Sequence, residues 1–165
     1  MKQFIPVLLI FLIFTPKISA TSNVGQMVKN IEPQVIKWRH HLHQNPELSN
    51  REFETAKYIT KHLQNLGLEV QTGVAITGVV AVLDSGKPGP VVALRADIDG
   101  LPVLEQNNLP WKSTKRGELE GNDVPVMHAC GHDTHIAMLM GAAEILVNMK
   151  SELRGKVKFI FQPAE

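Results

Sequence analysis

The sequence contains one cysteine, Cys130, among its 165 residues. A single cysteine cannot close a disulfide within the chain, so no disulfide framework supports the fold. Cys130 is therefore a small buried residue, a nucleophile or a metal ligand. Its neighbours in the sequence have to decide between these three roles.

The sequence also lacks an apolar run long enough to cross a membrane. Its longest run, residues 4–14, is too short for a bilayer core about 30 Å thick. Lys2 precedes this run and Ala20 offers a small residue for cleavage, so residues 1–20 have the form of a secretory signal peptide. We expect export to the periplasm or the medium, with no stable membrane anchor after cleavage. An uncleaved N-terminal anchor is the alternative.

Neither sign of charge is in excess. The chain has 17 Lys and Arg against 16 Asp and Glu, and loss of residues 1–20 removes two lysines and no acid. This balance argues against nucleic acid or an anionic membrane as the main partner. The sequence has no visible repeat, and it allows a homo-oligomer without indicating one. Residues 21–165 are long enough for one domain core or for part of a larger domain.

Apolar residues at spacings of three and four predict three helices. The first runs from Val24 to about Leu42, and Pro33 inside it predicts a kink or two helical pieces. The second begins at Phe53, after a predicted capping box of Ser49 and Glu52, and Gly67 ends it. The third covers about residues 133–149.

Short β-rich runs predict four strands at residues 68–72, 78–83, 90–96 and 155–161. The Gly- and Pro-rich residues 84–89 predict a hairpin between the second and third strands, both apolar on both faces and so covered. Residues 100–127 are predicted to form a long functional loop. The alternation of helices and strands predicts an α/β fold, a layered mixed sheet with helices on both faces.

The strongest chemical signal is the segment from Met127 to His135. It contains three histidines, one cysteine and one aspartate directly before a predicted helix. Thiolate and imidazole are strong ligands for zinc and similar ions, so Cys130 and His132 can reach one metal centre from a single turn. Asp133 could orient a ligating imidazole.

Two other interpretations of this segment stay open. Its histidines can be exposed loop residues beside a buried cysteine. Alternatively, Cys130 can be a nucleophile, because two histidines and a helix N-terminus favour a thiolate. The second interpretation lacks a visible oxyanion-binding device and an orienting asparagine.

Carboxylates follow two of the predicted strands. Asp97 and Asp99, spaced by two, should point the same way at the mouth of the sheet. Glu165 directly follows the last strand, a position typical of a general base in metal-assisted hydrolysis. A solvated strand end is the simpler explanation for each of them alone.

Four segments together resemble one known family of enzymes. They are RHHLHQNPELSNREFETAKYI (39–59), LRADIDGLPVLE (94–105), MHACGHDTHIAMLMGAA (127–143) and FQPAE (161–165). In this order they are similar to the amidohydrolase branch of the aminoacylase and zinc carboxypeptidase superfamily, which includes hippurate hydrolase, N-acyl-amino-acid amidohydrolases and auxin-conjugate hydrolases. The similarity covers about residues 35–165.

The resemblance implies an activity and a set of site residues. It implies the N-terminal part of a two-metal peptidase-like catalytic domain that hydrolyses the amide bond of N-acyl amino acids. Cys130 and His132 match metal ligands, Glu165 matches the general base, and Asp97 lies where relatives place a carboxylate supporting the metal site. The implied cofactors are two divalent ions, zinc, manganese, cobalt or nickel.

The resemblance also implies that part of the site is missing. In the family a second glutamate, further histidine ligands and a smaller inserted domain follow the position of Glu165. We therefore expect residues 21–165 to be an incomplete catalytic domain that is inactive and poorly stable by itself. Two rival functions remain, a thiol hydrolase that uses Cys130 and a non-catalytic metal-binding or interaction module.

Overall fold

The computed structural model describes residues 21–165, except for the side chains of Thr21 and Ser22. The predicted signal peptide, residues 1–20, lies outside the described residues. Within them, no helix combines the length and the apolar character that a membrane crossing needs.

Helix α1 spans Thr21–Gln44 without interruption, which excludes two separate helical pieces, and the alternative of a kink at Pro33 stays a prediction. Pro33 lies inside the helix and is exposed. Water can therefore solvate the carbonyl that loses its donor there. Asn45 ends the helix, because its side-chain amide donates to the carbonyl of His41 at 2.8 Å.

Helix α2 spans Phe53–Asn65, as predicted, but the predicted capping box does not form. The carboxylate of Glu47 instead accepts hydrogen bonds from the backbone amides of Glu54 and Thr55, at 3.2 and 2.7 Å. Ser49 and Glu52 are engaged elsewhere in the molecule. Gly67, with a φ of 76°, ends the helix as predicted.

Four strands form a mixed sheet, and their bounds are Glu69–Val74 (β1), Gly78–Asp84 (β2), Val91–Asp97 (β3) and Lys156–Gln162 (β6). Their order in the sheet is β1-β2-β6-β3. Strand β2 is antiparallel to β1 and β6, whereas β3 is parallel to β6. The predicted hairpin between β2 and β3 is therefore wrong, because β6 lies between them. Since β6 is a central strand, its Phe159 and Phe161 are almost fully buried.

The predicted long loop contains a small hairpin of β4 (Arg116–Leu119) and β5 (Asn122–Pro125). Its two turn residues, Glu120 and Gly121, have φ values of 51° and 78°. Two consecutive positive values match the tight turns that suit the twist of a hairpin. The remainder of residues 100–127 is irregular.

Helix α3 spans His132–Asn148 and connects β3 to the parallel strand β6. A short 3₁₀ helix, Lys150–Glu152, follows it. Helices α2 and α3 contact the sheet, and α1 packs on α3. The sheet contributes alternate residues, such as Val79, Ala81 and Phe159, to one apolar core with these helices.

The predicted mixed α/β architecture is confirmed. Among residues 21–165, the helices pack against the face of the sheet that carries Val79, Ala81 and Phe159. On the other face Val82 is 38% exposed. The prediction that β3 is covered on both faces also fails, because Val91 and Val92 are 66% and 50% exposed. An apolar strand sequence alone does not say which elements are present to cover it.

Candidate metal centre

The C-terminal ends of two strands and the first turn of a helix meet at one edge of the sheet. Asp97 ends β3, and Glu165 lies three residues after the parallel strand β6. His132 and His135 lie on the first turn of α3, spaced by three and so on neighbouring positions of the helix surface. Ligand atoms of Asp97, His132 and His135 all lie within 4.8 Å of one another.

The side chains of Asp97, His132, His135 and Glu165 form one cluster and are in direct contact. The Nδ1 atom of His135 lies 2.5 Å from Oδ1 of Asp97. The Nε2 atom of His132 lies 3.1 Å from Oε2 of Glu165 and 3.8 Å from Oδ2 of Asp97. The Nη2 atom of Arg95 lies 3.6 Å from Oε1 of Glu165, and its Nη1 atom lies 3.5 Å from Oδ2 of Asp97. The guanidinium group of Arg95 therefore flanks the two carboxylates.

Asp99 orients the imidazole of His132. The Nδ1 atom of His132 lies 2.9 Å from the carbonyl oxygen of Asp99 and 3.0 Å from its Oδ1. Ser49 donates to the other carboxylate oxygen at 2.6 Å. Because Asp99 offers two acceptors to Nδ1, this nitrogen is the donor, and Nε2 is the ring atom that faces the cluster and can offer a lone pair to a cation.

Asp97 is kept in its charged form. Burial by itself would raise the pKa of this carboxyl, but hydrogen bonds with His135 and Glu165 and the nearby His132 have a larger opposite effect. The pKa of Asp97 therefore lies below its ordinary value. A buried charged carboxylate beside two imidazoles is a favourable donor for a divalent cation.

Asp133 does not orient a ligating imidazole, contrary to the expectation from the sequence. Its Oδ2 lies 2.9 Å from Nδ1 of His43 and 3.2 Å from Nε of Arg39, both on α1. The other ring nitrogen of His43 lies 2.9 Å from Oε1 of Glu105. This buried network ties α1, the loop after β3 and the start of α3 together behind the cluster.

The position of Glu105 in this network is electrostatically favourable. Burial alone would raise its pKa, but hydrogen bonds from His43, the Ser113 amide and Asn107 outweigh that effect. The pKa of Glu105 is accordingly lowered. The loop that carries Glu105 is thereby held against α1.

His128 is buried beside the network. Neither of its ring nitrogens has a hydrogen-bond partner among residues 21–165. Burial lowers its pKa to about 4, although the nearby Asp133 acts in the opposite direction. His128 is therefore a neutral imidazole at physiological pH.

Cys130 is exposed, and the group of ligand atoms described above does not include it. Its role as a metal ligand stays a prediction. No ligand role was expected for His135 from the sequence, and Asp99 was not expected to orient His132. The spacing of three between His132 and His135 at the start of a helix was a sequence signal that His135 could also be a ligand.

The residues at the cluster fit a divalent cation. Two imidazoles and a charged carboxylate are ligands that zinc and similar ions accept, and Glu165 adds a second carboxylate beside them. The Nε2 lone pair of His132 faces the two acids, an arrangement that a shared cation would satisfy. A separate cleft of about 600 Å³, between α2 and the β4–β5 hairpin, contains none of these residues.

The chain is similar to known peptidases and deacetylases. A sequence model of the peptidase family M20/M25/M40 matches residues 93–165. The chain is 48% identical over 139 residues to thermostable carboxypeptidase 2 of Saccharolobus solfataricus, which covers 84% of this chain and 33% of the relative. It is 45% identical over 138 residues to the N-acetyl-L-cysteine deacetylase of Bacillus subtilis, 84% of this chain and 31% of the relative.

A solved structure supports the same relationship. The Bacillus subtilis YXEP protein, described as a dinuclear metal binding peptidase from the M20 family, is 43% identical. It matches with a TM-score of 0.74 over 83% of this chain and 36% of its own. The chain spans about a third of the length of the curated relatives it matches. On this combined evidence, the chain resembles peptidase family M20/M25/M40, and the match to the family model covers residues 93–165.

Proposed function

We propose that the protein hydrolyses the amide bond of N-acyl amino acids with the help of two divalent metal ions. The observation that carries this proposal is the convergence of Asp97, His132 and His135 at the sheet edge, with Glu165 3.1 Å from His132. Such a set of imidazoles and carboxylates is typical of metal-assisted hydrolysis. The substrate would be a small molecule of the hippurate type.

The names of the relatives support the class of substrate. An N-acyl-L-amino acid amidohydrolase of Geobacillus stearothermophilus is 42% identical over 142 residues. The IAA-amino acid hydrolase ILR1-like 2 of Arabidopsis thaliana is 45% identical over 137 residues. The first of these names states an N-acyl amino acid as the substrate, and the N-acetyl-L-cysteine deacetylase named above fits the same class.

The metal ions would be held by His132, with Asp97, His135 and the predicted ligand Cys130 as further donors. When bound, divalent ions of this kind polarise a scissile carbonyl and acidify water. Zinc, manganese, cobalt and nickel all suit such donors. The Asp99 carboxylate keeps the Nε2 lone pair of His132 pointed at the centre.

Glu165 is the proposed general base. Its side chain is 49% exposed, so a substrate and a water molecule can reach it, whereas Asp97 beside it is buried. In this role it removes a proton from the attacking water and returns it to the leaving amine. The Nη2 atom of Arg95 lies 3.6 Å from Oε1 of this carboxylate.

The cellular location follows from residues 1–20. We propose that they direct export and that the mature protein, beginning near residue 21, works in the periplasm or the medium. N-terminal sequencing of protein recovered from a cell-free culture medium or a periplasmic extract tests this. A mature N-terminus near Thr21 agrees with the proposal, and retention of Met1 contradicts it.

The test of function begins with the coding DNA, which is sequenced past the codon for Glu165. The encoded protein is then assayed on hippurate, after chelation and after addition of each metal. We expect activity that chelation abolishes and metal restores. Activity that survives chelation but not alkylation of Cys130 would favour the thiol hydrolase, and metal binding without turnover would favour a binding module.

Substitution of the base sharpens the test. We expect Glu165→Gln to lower kcat by about 10² to 10⁴, because the amide cannot accept the proton. The change preserves the shape of the side chain, so the metal content should stay near that of the unsubstituted protein. Glu69→Gln, at an exposed position on β1, is the matched control and should leave kcat unchanged. A Glu165→Gln protein with normal kcat would exclude Glu165 as the base.

A further inference from the structure

A second carboxylate, that of Glu52, is fully buried outside the cluster. Glu52 occupies the N-cap position of α2 but makes no side-chain hydrogen bond to that helix, which Glu47 caps instead. Its Oε2 accepts a hydrogen bond from the Thr77 hydroxyl at 2.6 Å. Its Oε1 accepts one from the backbone amide of Ala164 at 3.1 Å. The buried carboxylate therefore connects the start of α2 to the residue before Glu165.

The backbone that receives this hydrogen bond is in an unfavourable conformation. Ala164 has a φ of 53°, in the left-handed region that an alanine rarely adopts. Such a conformation persists only where surrounding contacts enforce it. The conformation of Ala164 sets the direction in which the chain presents Glu165, the next residue.

A second contact fixes the same turn from the side of β2. A Cβ atom added to Gly78 would lie 3.0 Å from Cδ of Pro163 and 3.2 Å from the carbonyl oxygen of Phe161. A side chain at position 78 would therefore press on this turn, and it would clash even more closely with the carbonyl oxygen of Val74. Gly78 directly follows Thr77, so the two residues hold Pro163 and, through Glu52, Ala164.

We propose that Glu52 and Thr77 are positioning residues that enforce the left-handed conformation of Ala164 and so aim the Glu165 carboxylate at His132. Neither side chain touches the cluster itself. The proposal rests on the role of Glu165 given above, and it adds the device that holds this base in place. A carboxylate that is 49% exposed needs such support, because few other contacts restrict it.

The central test compares Glu52→Ala with Glu52→Gln in the protein as the organism encodes it. A glutamine keeps an oxygen for the Ala164 amide and can donate its NH₂ to the Thr77 hydroxyl. We expect Glu52→Ala to lower kcat per folded molecule by about 10- to 100-fold, with KM and metal content within about twofold. Glu52→Gln should stay within about threefold of the unsubstituted kcat. Equal losses in both would show that the charge matters and would overturn the proposal.

The strained residue provides a second test. Glycine adopts a positive φ without the cost that alanine has. Ala164→Gly should therefore recover part of the lost kcat when it is combined with Glu52→Ala, by at least about threefold. No recovery in the double variant would contradict a role through the conformation of Ala164.

Variants of Thr77 decide the question if Glu52→Ala does not fold. Thr77→Val keeps the shape of the side chain and removes the hydroxyl, whereas Thr77→Ser keeps the hydroxyl. We expect kcat to fall several-fold in Thr77→Val, with KM unchanged, and to stay near normal in Thr77→Ser. A normal kcat in Thr77→Val would overturn the role of this residue.

Two measurements by NMR do not depend on activity. In the metal-free protein labelled with [¹⁵N]alanine, the Ala164 amide should exchange with solvent at least tenfold faster in Glu52→Ala. In protein labelled with [¹⁵N]histidine, the His132 Nε2 resonance should shift as it does in Glu165→Ala, because both changes remove its contact with the Glu165 carboxylate. An unsubstituted protein without hydrolytic activity would defeat the proposed function, while these two measurements would still decide whether Glu52 positions Glu165. Unchanged exchange and an unchanged resonance would overturn the positioning role alone.

Discussion

At the residue scale, the orientation of single imidazoles decides what the site can bind. His132 has acceptors on its Nδ1 side and carboxylates on its Nε2 side, so one nitrogen is a donor and the other is available to a cation. Both nitrogens of His43 likewise lie against carboxylates, those of Asp133 and Glu105. The two histidines are both buried, but His43 binds the network behind the cluster, whereas Nε2 of His132 faces the cluster itself.

His62 shows how burial acts on a histidine without a carboxylate partner. It lies on α2, with its ring centroid 4.6 Å from that of Trp38 and its Nε2 3.1 Å from the carbonyl oxygen of Met140. Burial lowers its pKa, although the Met140 carbonyl and Glu144 act in the opposite direction. The folded protein therefore binds a proton at His62 less readily than the unfolded chain does.

This difference predicts a pH dependence of stability. Above the unfolded pKa, about 6.5, His62 is neutral in both states and its effect is absent. As the pH falls below that value the unfolded state binds more protons, so the free energy of unfolding decreases. We expect this decrease between pH 7.5 and 5 to be smaller in His62→Gln, whose amide can still donate to Met140. Urea unfolding across this range checks it, and equal slopes in both proteins would contradict it.

At the element scale, helix α2 is capped by a side chain that comes from outside its first turn. The Glu47 carboxylate lies on the segment after α1 and accepts from the amides of Glu54 and Thr55. Because Glu47 caps the helix, the Ser49 hydroxyl can donate a hydrogen bond to Asp99, and the Glu52 carboxylate can accept one from the Ala164 amide. A substitution for Glu47 therefore tests the cap without touching the site.

We expect Glu47→Ala to lower the free energy of unfolding by about 1 kcal/mol, because two amides of the first turn lose their acceptor. Denaturant titration followed by circular dichroism measures this. Glu54→Ala is the matched control, since the exposed Glu54 contacts only the exposed Lys57 on the next turn and should leave the stability nearly unchanged. A larger effect of Glu54→Ala than of Glu47→Ala would show that the cap is assigned wrongly.

At the scale of the whole molecule, the apolar core of residues 21–165 lies between one face of the sheet and the helices. Phe159 is fully buried in it, while Val82 lies on the opposite face and is 38% exposed. Removal of a side chain should therefore have different consequences on the two faces. The expected difference between the two faces is one in the stability of the folded chain, and it does not involve the candidate metal centre.

We expect Phe159→Ala to lower the free energy of unfolding by about 3 to 5 kcal/mol, since it leaves a cavity in the core. Val82→Ala, the matched change on the other face, should cost less than about 1 kcal/mol. Urea denaturation compares the two. A similar cost for both would mean that the second face is also covered in the protein as it exists.

The sequence by itself determined the helices, the approximate strand positions, the α/β class and the family resemblance. Periodicity, a terminal Gly67 and four linked motifs are local signals, and the residues that carry them lie next to one another in the chain. These signals also identified His132, Asp97 and Glu165 as candidates, two of which end or follow strands.

Only the tertiary structure decided which of these residues meet. The insertion of β6 between β2 and β3 replaces the predicted hairpin, and it brings Asp97 and Glu165 to the same edge of the sheet. The partners of Asp133, Asp99 and Glu52 likewise lie 25 to 112 positions away along the chain. A local pattern shows that such a side chain is polar, but its partner depends on how the strands and helices pack.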